Sequence, residues 1–156
     1  MMADLKGKNY IGLLSEDQVL PDNGTADSTN MVEVQTPTNG DLWVKVVFED
    51  EIVLADTKTF TIDIQTWSAD VAASAVAPIN SGGAVIPTGT STVRPFSLLS
   101  AHATTCVIAE GTEIDFAVPE DQMASFATPH KFIQLVYTTT DDLSGNTATA
   151  FVYTKV

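Results

Sequence analysis

From residue 41 onward, apolar and polar positions alternate with a period of two. Leu42, Val44, Val46 and Phe48 alternate with Trp43, Lys45, Val47 and Glu49. Phe60, Ile62 and Ile64 alternate with Thr59, Thr61, Asp63 and Gln65, and Ile114, Phe116 and Val118 with Glu113, Asp115 and Ala117. Successive side chains of an extended chain point to opposite faces, so each run predicts a strand with one buried and one wetter face. Later, Ile133, Leu135 and Tyr137 alternate with Phe132, Gln134 and Val136, and Phe151 and Tyr153 with Ala150, Val152 and Thr154. Both faces of these last two runs are fairly apolar, which predicts central strands or a subunit contact. Asp141-Asp142-Leu143-Ser144-Gly145-Asn146 between them suits a hairpin connection, so 131–140 and 147–155 are expected to pair as an antiparallel hairpin.

The first 40 residues read as an N-terminal arm belonging to the same domain as the 41–156 body. Ser15-Glu16-Asp17-Gln18 could begin a helical turn, with Ser15 as cap and Gln18 at the third position of a capping box, and Pro21 ends it. Residues 22–30 carry Asn-Gly and small polar residues and read as loop, and 31–34 as a brief strand. Residues 71–92 are rich in Ala, Ser, Gly, Pro and Thr and carry no charge, so they predict an ordered excursion packed on something. Pro119, Glu120 and Asp121 suit the start of one helical turn over 119–125. Seven to nine strands are expected, and no connection is long and helical enough for a parallel βαβ unit. The fold class is all-β, a jelly-roll-like antiparallel β-sandwich with an N-terminal arm.

Bulk numbers bound the function. A length of 156 residues fits one domain, and 44% hydrophobic against 17% charged residues supports a packed core rather than disorder. Twenty acidic against seven basic residues give a formal net charge of −13, which repels phosphate backbones and anionic membranes. Lys45, Lys58, Arg94 and Lys131 are scattered, so neither a nucleic acid nor a membrane is an expected partner. No secretory leader and no membrane span are expected from the N-terminal sequence and the absence of a long apolar run. Cys106 is the single cysteine, which rules out an intrachain disulfide.

Candidate chemistry is sparse. A Cys106 nucleophile would need His102 or His130 within hydrogen-bond reach, yet His102 and Cys106 are four residues apart, about 13 Å along an extended strand. The carboxylate groups Glu49-Asp50-Glu51, Glu120-Asp121 and Asp141-Asp142 sit at strand ends and turns, where solvated acids are ordinary, rather than across a sugar-sized cleft. Residues 22–27 hold oxygen ligands for calcium but lack the spacing and closing glutamate of a calcium loop. Trp43 and Trp67, the only tryptophans, could stack on sugar rings or anchor a partner, or fill the edge of the core. No catalytic, metal or cofactor residues are assigned, and a binding or assembly module is expected rather than an enzyme.

Four segments carry a resemblance. They are Leu13-Leu14-Ser15-Glu16-Asp17-Gln18-Val19, Ser28-Thr29-Asn30-Met31-Val32-Glu33-Val34, Phe60-Thr61-Ile62-Asp63-Ile64-Gln65-Thr66 and Lys131-Phe132-Ile133-Gln134-Leu135-Val136-Tyr137. In that order they resemble segments of the small capsid cement, or decoration, proteins of tailed bacteriophages. Gln134 stands where that pattern has a basic residue, and 92–109 has no counterpart in it. The resemblance implies a jelly-roll protomer, a homotrimer, no cofactor, and attachment to the major capsid protein on the outer surface of the virion, after synthesis in the host cytoplasm. Leu13, Leu14, Ser15, Glu16, Asp17 and Gln18 are the expected capsid or trimer contacts. The alternative expectation is a carbohydrate-binding β-sandwich using Trp43 and Trp67.

Overall fold

Wherever the sequence alternates with a period of two, the chain is extended and paired. The computed structural model describes residues 8–34, 42–67, 93–99, 106–125 and 130–155. These carry the strands β1 (Lys8–Val19), β2 (Asp22–Asp27), β3 (Val32–Glu33), β4 (Leu42–Phe48), β5 (Ile52–Leu54), β6 (Thr59–Trp67), β7 (Val93–Leu99), β8 (Cys106–Ile108), β9 (Glu113–Ala117), β10 (Phe132–Asp142) and β11 (Thr147–Lys155). The short helix α1 (Glu120–Ser125) falls where Pro119 and two acidic residues predict a turn. The 71–92 excursion and His102 lie outside the described residues.

Two antiparallel sheets form an all-β sandwich. One has the order β1-β11-β4-β9, and the other β2-β10-β6-β7 with β3 also on β10. Between the two sheets lies the core: Val44, Val46 and Phe48 of β4 and Ala148, Ala150 and Val152 of β11 face Phe60, Ile62 and Ile64 of β6 and Ile133, Leu135 and Tyr137 of β10. Phe48 and Phe60 meet edge to face with ring centroids 6.1 Å apart, tying the sheets together. In β4 and β6 these are the positions the alternation assigns to the buried face; in β11, where both faces are apolar, it is Ala148, Ala150 and Val152 that turn inward, not Phe151 and Tyr153.

Beyond the strand count, eleven among the described residues against the seven to nine expected, three expectations need correction. The strands β10 and β11 do not form a hairpin: β10 pairs with β2, β3 and β6, whereas β11 pairs with β1 and β4 in the other sheet. Their connection arches over the end of the sandwich, with Leu143 buried beneath it and the Leu143 N–H donating to Pro21 O at 3.1 Å. Each strand is central in its own sheet, and Val136 of β10 and Phe151 and Tyr153 of β11, which point away from the core, are buried as well. Second, Ser15-Glu16-Asp17-Gln18 is not a helical turn but the end of β1. Third, residues 22–27 are strand β2 rather than loop, so the segment read as an arm is laid into both sheets.

Candidate functional site

The end of β1 and the β2–β3 connector interlock. Against β11, β1 is irregular at three places, and between Ser15 and Gln18 it takes three steps while β11 takes two, from Ala150 to Ala148. The extra residue throws Glu16 and Asp17 out as an exposed acidic knuckle. Asp17 adopts φ 44°, a left-handed conformation that aspartate tolerates better than most residues. Its N–H donates to Thr149 Oγ1 at 3.0 Å, which fixes the bulge on β11.

Gln18 is the hub of this joint. Its Oε1 accepts from Ser15 Oγ at 2.6 Å, from the Thr29 N–H at 2.9 Å and from Thr29 Oγ1 at 3.1 Å. Its Nε2 donates to Asp27 O at 2.6 Å. Because the Ser15 hydroxyl is spent on Gln18, the Tyr137 hydroxyl donates to Ser15 Oγ, 3.0 Å away across the core. Burial pushes the Tyr137 phenol up to about 12. Ser28 ties the connector to β10: its N–H donates to Leu135 O at 2.7 Å, and its Oγ accepts from the Leu135 N–H at 3.0 Å. Asn30 ties it to β1, its N–H donating to Leu14 O at 2.9 Å and its Nδ2 to Leu13 O at 3.3 Å. The backbones approach so closely that a Cβ on Gly12 would lie 2.9 Å from Val32 Cγ1.

The expected contact residues therefore divide. Leu14 and Ser15 are buried inside the chain, Leu13 is half-buried, and Gln18 is engaged in the joint. Glu16 and Asp17 are exposed, on a strand that also exposes Tyr10, Ile11 and Val19. The sequence signal for the joint was present as the Ser-x-x-Gln spacing, but the same spacing also describes a helix cap.

Trp43 is half-buried on the outer face of the first sheet, opposite Tyr153 on one side and Ala117 on the other. Phe151 and Tyr153 beside it are buried, so this face is not an open stacking platform. Trp67 ends β6 opposite Phe132. On the same outer face Lys45, only 5% exposed, reaches Glu113 Oε1 at 3.1 Å and Asp115 Oδ2 at 3.2 Å. The Tyr153 hydroxyl donates to Asp115 Oδ1 at 2.6 Å, and burial together with that bond raises its pKa well above the ordinary tyrosine value. Sequence reading placed Lys45 on the wetter face; the acids at alternate positions of β9 were the signal that it is paired.

Three of the other acids serve as turn acceptors. Asp50 Oδ2 accepts from the Thr147 N–H at 2.9 Å, and Asp141 Oδ2 from the Ala55 N–H at 2.8 Å. Asp142 accepts from the Ser144 hydroxyl and N–H, which hold its carboxyl below the usual range. Asp22 and Asp27 lie at opposite ends of β2, roughly 16 Å apart by the strand rise, so they cannot share one calcium ion. Among the described residues no group of three or more His, Cys, Asp or Glu side chains could hold a metal ion. His130 is buried with Nδ1 2.8 Å from Thr66 Oγ1, and Cys106 lies across from Leu54 in β8. Comparison with family models, with curated proteins and with solved structures finds no match to this chain.

Proposed function

We propose that this chain is a capsid decoration protein that binds the outer face of an assembled tailed-phage head and stabilises it. The observation that carries the reading is the joint. The four segments that bear the resemblance are spread from residue 13 to residue 137, yet they are contiguous in the fold. The first two interlock through Gln18, Thr29 and Asn30; the second is bonded to the fourth through Ser28 and Leu135; the fourth pairs with the third along β10 and β6. Their contiguity supports reading the four likenesses as one pattern.

Other features support the same reading. Taken without the short strands, the chain passes from one sheet to the other at every step except from β6 to β7, and the orders β1-β11-β4-β9 and β2-β10-β6-β7 are those of a wound double Greek key, consistent with a jelly-roll-like body. The acidic knuckle and the exposed apolar side chains of β1 supply a surface for the major capsid protein or for the other copies of a homotrimer. No chemistry is required of such a protein. It binds the assembled shell and not its separated subunits, and at a hundredfold excess over Kd each site adds about 2.7 kcal/mol.

The test is cosedimentation of the purified protein with expanded shells that lack it, followed by thermal disruption of the shells. Saturable binding with a raised disruption temperature is the expected result. Protein that stays in the supernatant at every concentration, while its tryptophan fluorescence responds to polysaccharides, would overturn the reading in favour of a carbohydrate module.

A further inference from the structure

A second surface lies away from β1. The strands β5 and β8 form a two-stranded ribbon outside both main sheets, with Val53 opposite Val107. Ile52 and Leu54 anchor the ribbon in the core, whereas Val53 and Val107 are 48% and 54% exposed. The two sides of the ribbon differ. On the β5 side, Asn146 Nδ2 donates to Glu51 O and the Ala55 N–H donates to Asp141 Oδ2, both at 2.8 Å, so that edge is tied to the β10–β11 connection.

On the other side of β8, among the described residues, no strand pairs with it. There an apolar groove of about 230 Å³ is walled by Phe48, Cys106, Val107, Ile108, Ala109 and Ile114. Consecutive strand residues point to opposite faces, so a groove touching 106–109 in succession runs along the strand edge. Its volume is below the ~300–1,000 Å³ of small-molecule pockets and suits a single apolar side chain. Glu110 follows directly, exposed and without an ion-pair partner among the described residues.

We propose that the outer edge of β8 receives an extended segment of the shell subunit as a third strand of the ribbon. One apolar side chain of that segment fills the groove, and a neighbouring lysine or arginine faces Glu110. The inference rests on the decoration reading, from which it takes its partner. Main-chain pairing supplies affinity and the groove supplies selectivity, as in other strand-addition complexes. The net charge of −13 favours a basic segment over an acidic one.

The single cysteine of the chain lines this groove, so it reports directly on occupancy. Alkylation of Cys106 by iodoacetamide is measured in the free protein and in the protein bound to expanded shells. The expected result is at least ~tenfold slower alkylation on the shell, with Val107→Asp and Glu110→Lys each weakening shell binding by about tenfold. Both positions are exposed, and urea unfolding of each variant verifies its fold. Shell binding with unchanged alkylation, or with both variants at full affinity, overturns this inference and leaves the decoration reading intact. Absence of shell binding overturns the decoration reading and this inference with it. Protection that grows with protein concentration, without shells, assigns the edge to a second copy and also overturns it.

Discussion

Replacing Gln18 by alanine removes the hub of the β1 joint and should cost far more than its half-exposed position suggests. Four hydrogen bonds are lost: three accepted from Ser15 and Thr29, and one donated to Asp27 O. The three that involve Thr29 and Asp27 are near solvent, where water substitutes, so each contributes about 0.5 kcal/mol. The Ser15 bond is different. Ser15 and Tyr137 are both buried with their hydroxyls 3.0 Å apart, and without Gln18 one of the two hydroxyl hydrogens has no acceptor, which costs about 1 kcal/mol more. The expected loss is about 2.5 kcal/mol, or roughly 5–10 °C in Tm for a chain of this size. Urea unfolding followed by tryptophan fluorescence measures it as a lower midpoint at an unchanged slope. Thr29→Val tests the origin: the two substitutions should couple by ~0.5 kcal/mol or more in a double-mutant cycle, because they share bonds. A loss below about 0.5 kcal/mol for Gln18→Ala, the ordinary range of a surface change, would refute the joint.

Further predictions concern packing and charge. Gly12→Ala should destabilise by about 1–3 kcal/mol, because its Cβ would meet the stiff Val32 side chain at 2.9 Å; Gly145→Ala, with open space around it, should stay within about 0.5 kcal/mol in the same urea titration. Tyr137→Phe should cost about 1 kcal/mol at pH 8 through the lost bond to Ser15. The native phenol holds its proton up to about 12, while the unfolded one releases it from its ordinary 10.0, so wild-type stability should fall through that window by ~1.4 kcal/mol per pH unit. The Phe variant lacks this term, and its deficit should vanish near pH 11; an equal deficit at pH 8 and pH 11 would contradict the burial of Tyr137. Lys45→Met should lose about 1–2 kcal/mol, less than a fully buried pair, because the Glu113 and Asp115 side chains are 45% and 32% exposed and can rehydrate; a loss above ~3 kcal/mol would contradict that.

What the sequence makes legible follows from what a period of two can carry. Alternation tells which side chains share a face, and Val44, Val46, Phe48, Phe60, Ile62 and Ile64 indeed share the core. It does not tell which sheet a strand joins. A strand apolar on both faces is equally suited to a hairpin neighbour and to a central place in either sheet, so β10 and β11 could be recognised as central but not as members of opposite sheets. The deciding contact is Leu143 beneath the arch, and one leucine between Asp142 and Ser144 looks the same in a tight hairpin loop. The joint was hidden for a related reason. Ser15 and Gln18 are three apart, a spacing that satisfies a helix cap as well as a bulged strand, and the choice is made by Thr29 and Tyr137, whose positions only the fold fixes. The same logic bears on function. Leu14, Ser15 and Gln18 are held for the fold, so selection for binding would act on the knuckle they support, Glu16 and Asp17, and on edges such as β8 that the core does not consume. Within residues 13–19, the side chains that hold the joint and the side chains exposed to a partner are then neighbours rather than the same residues.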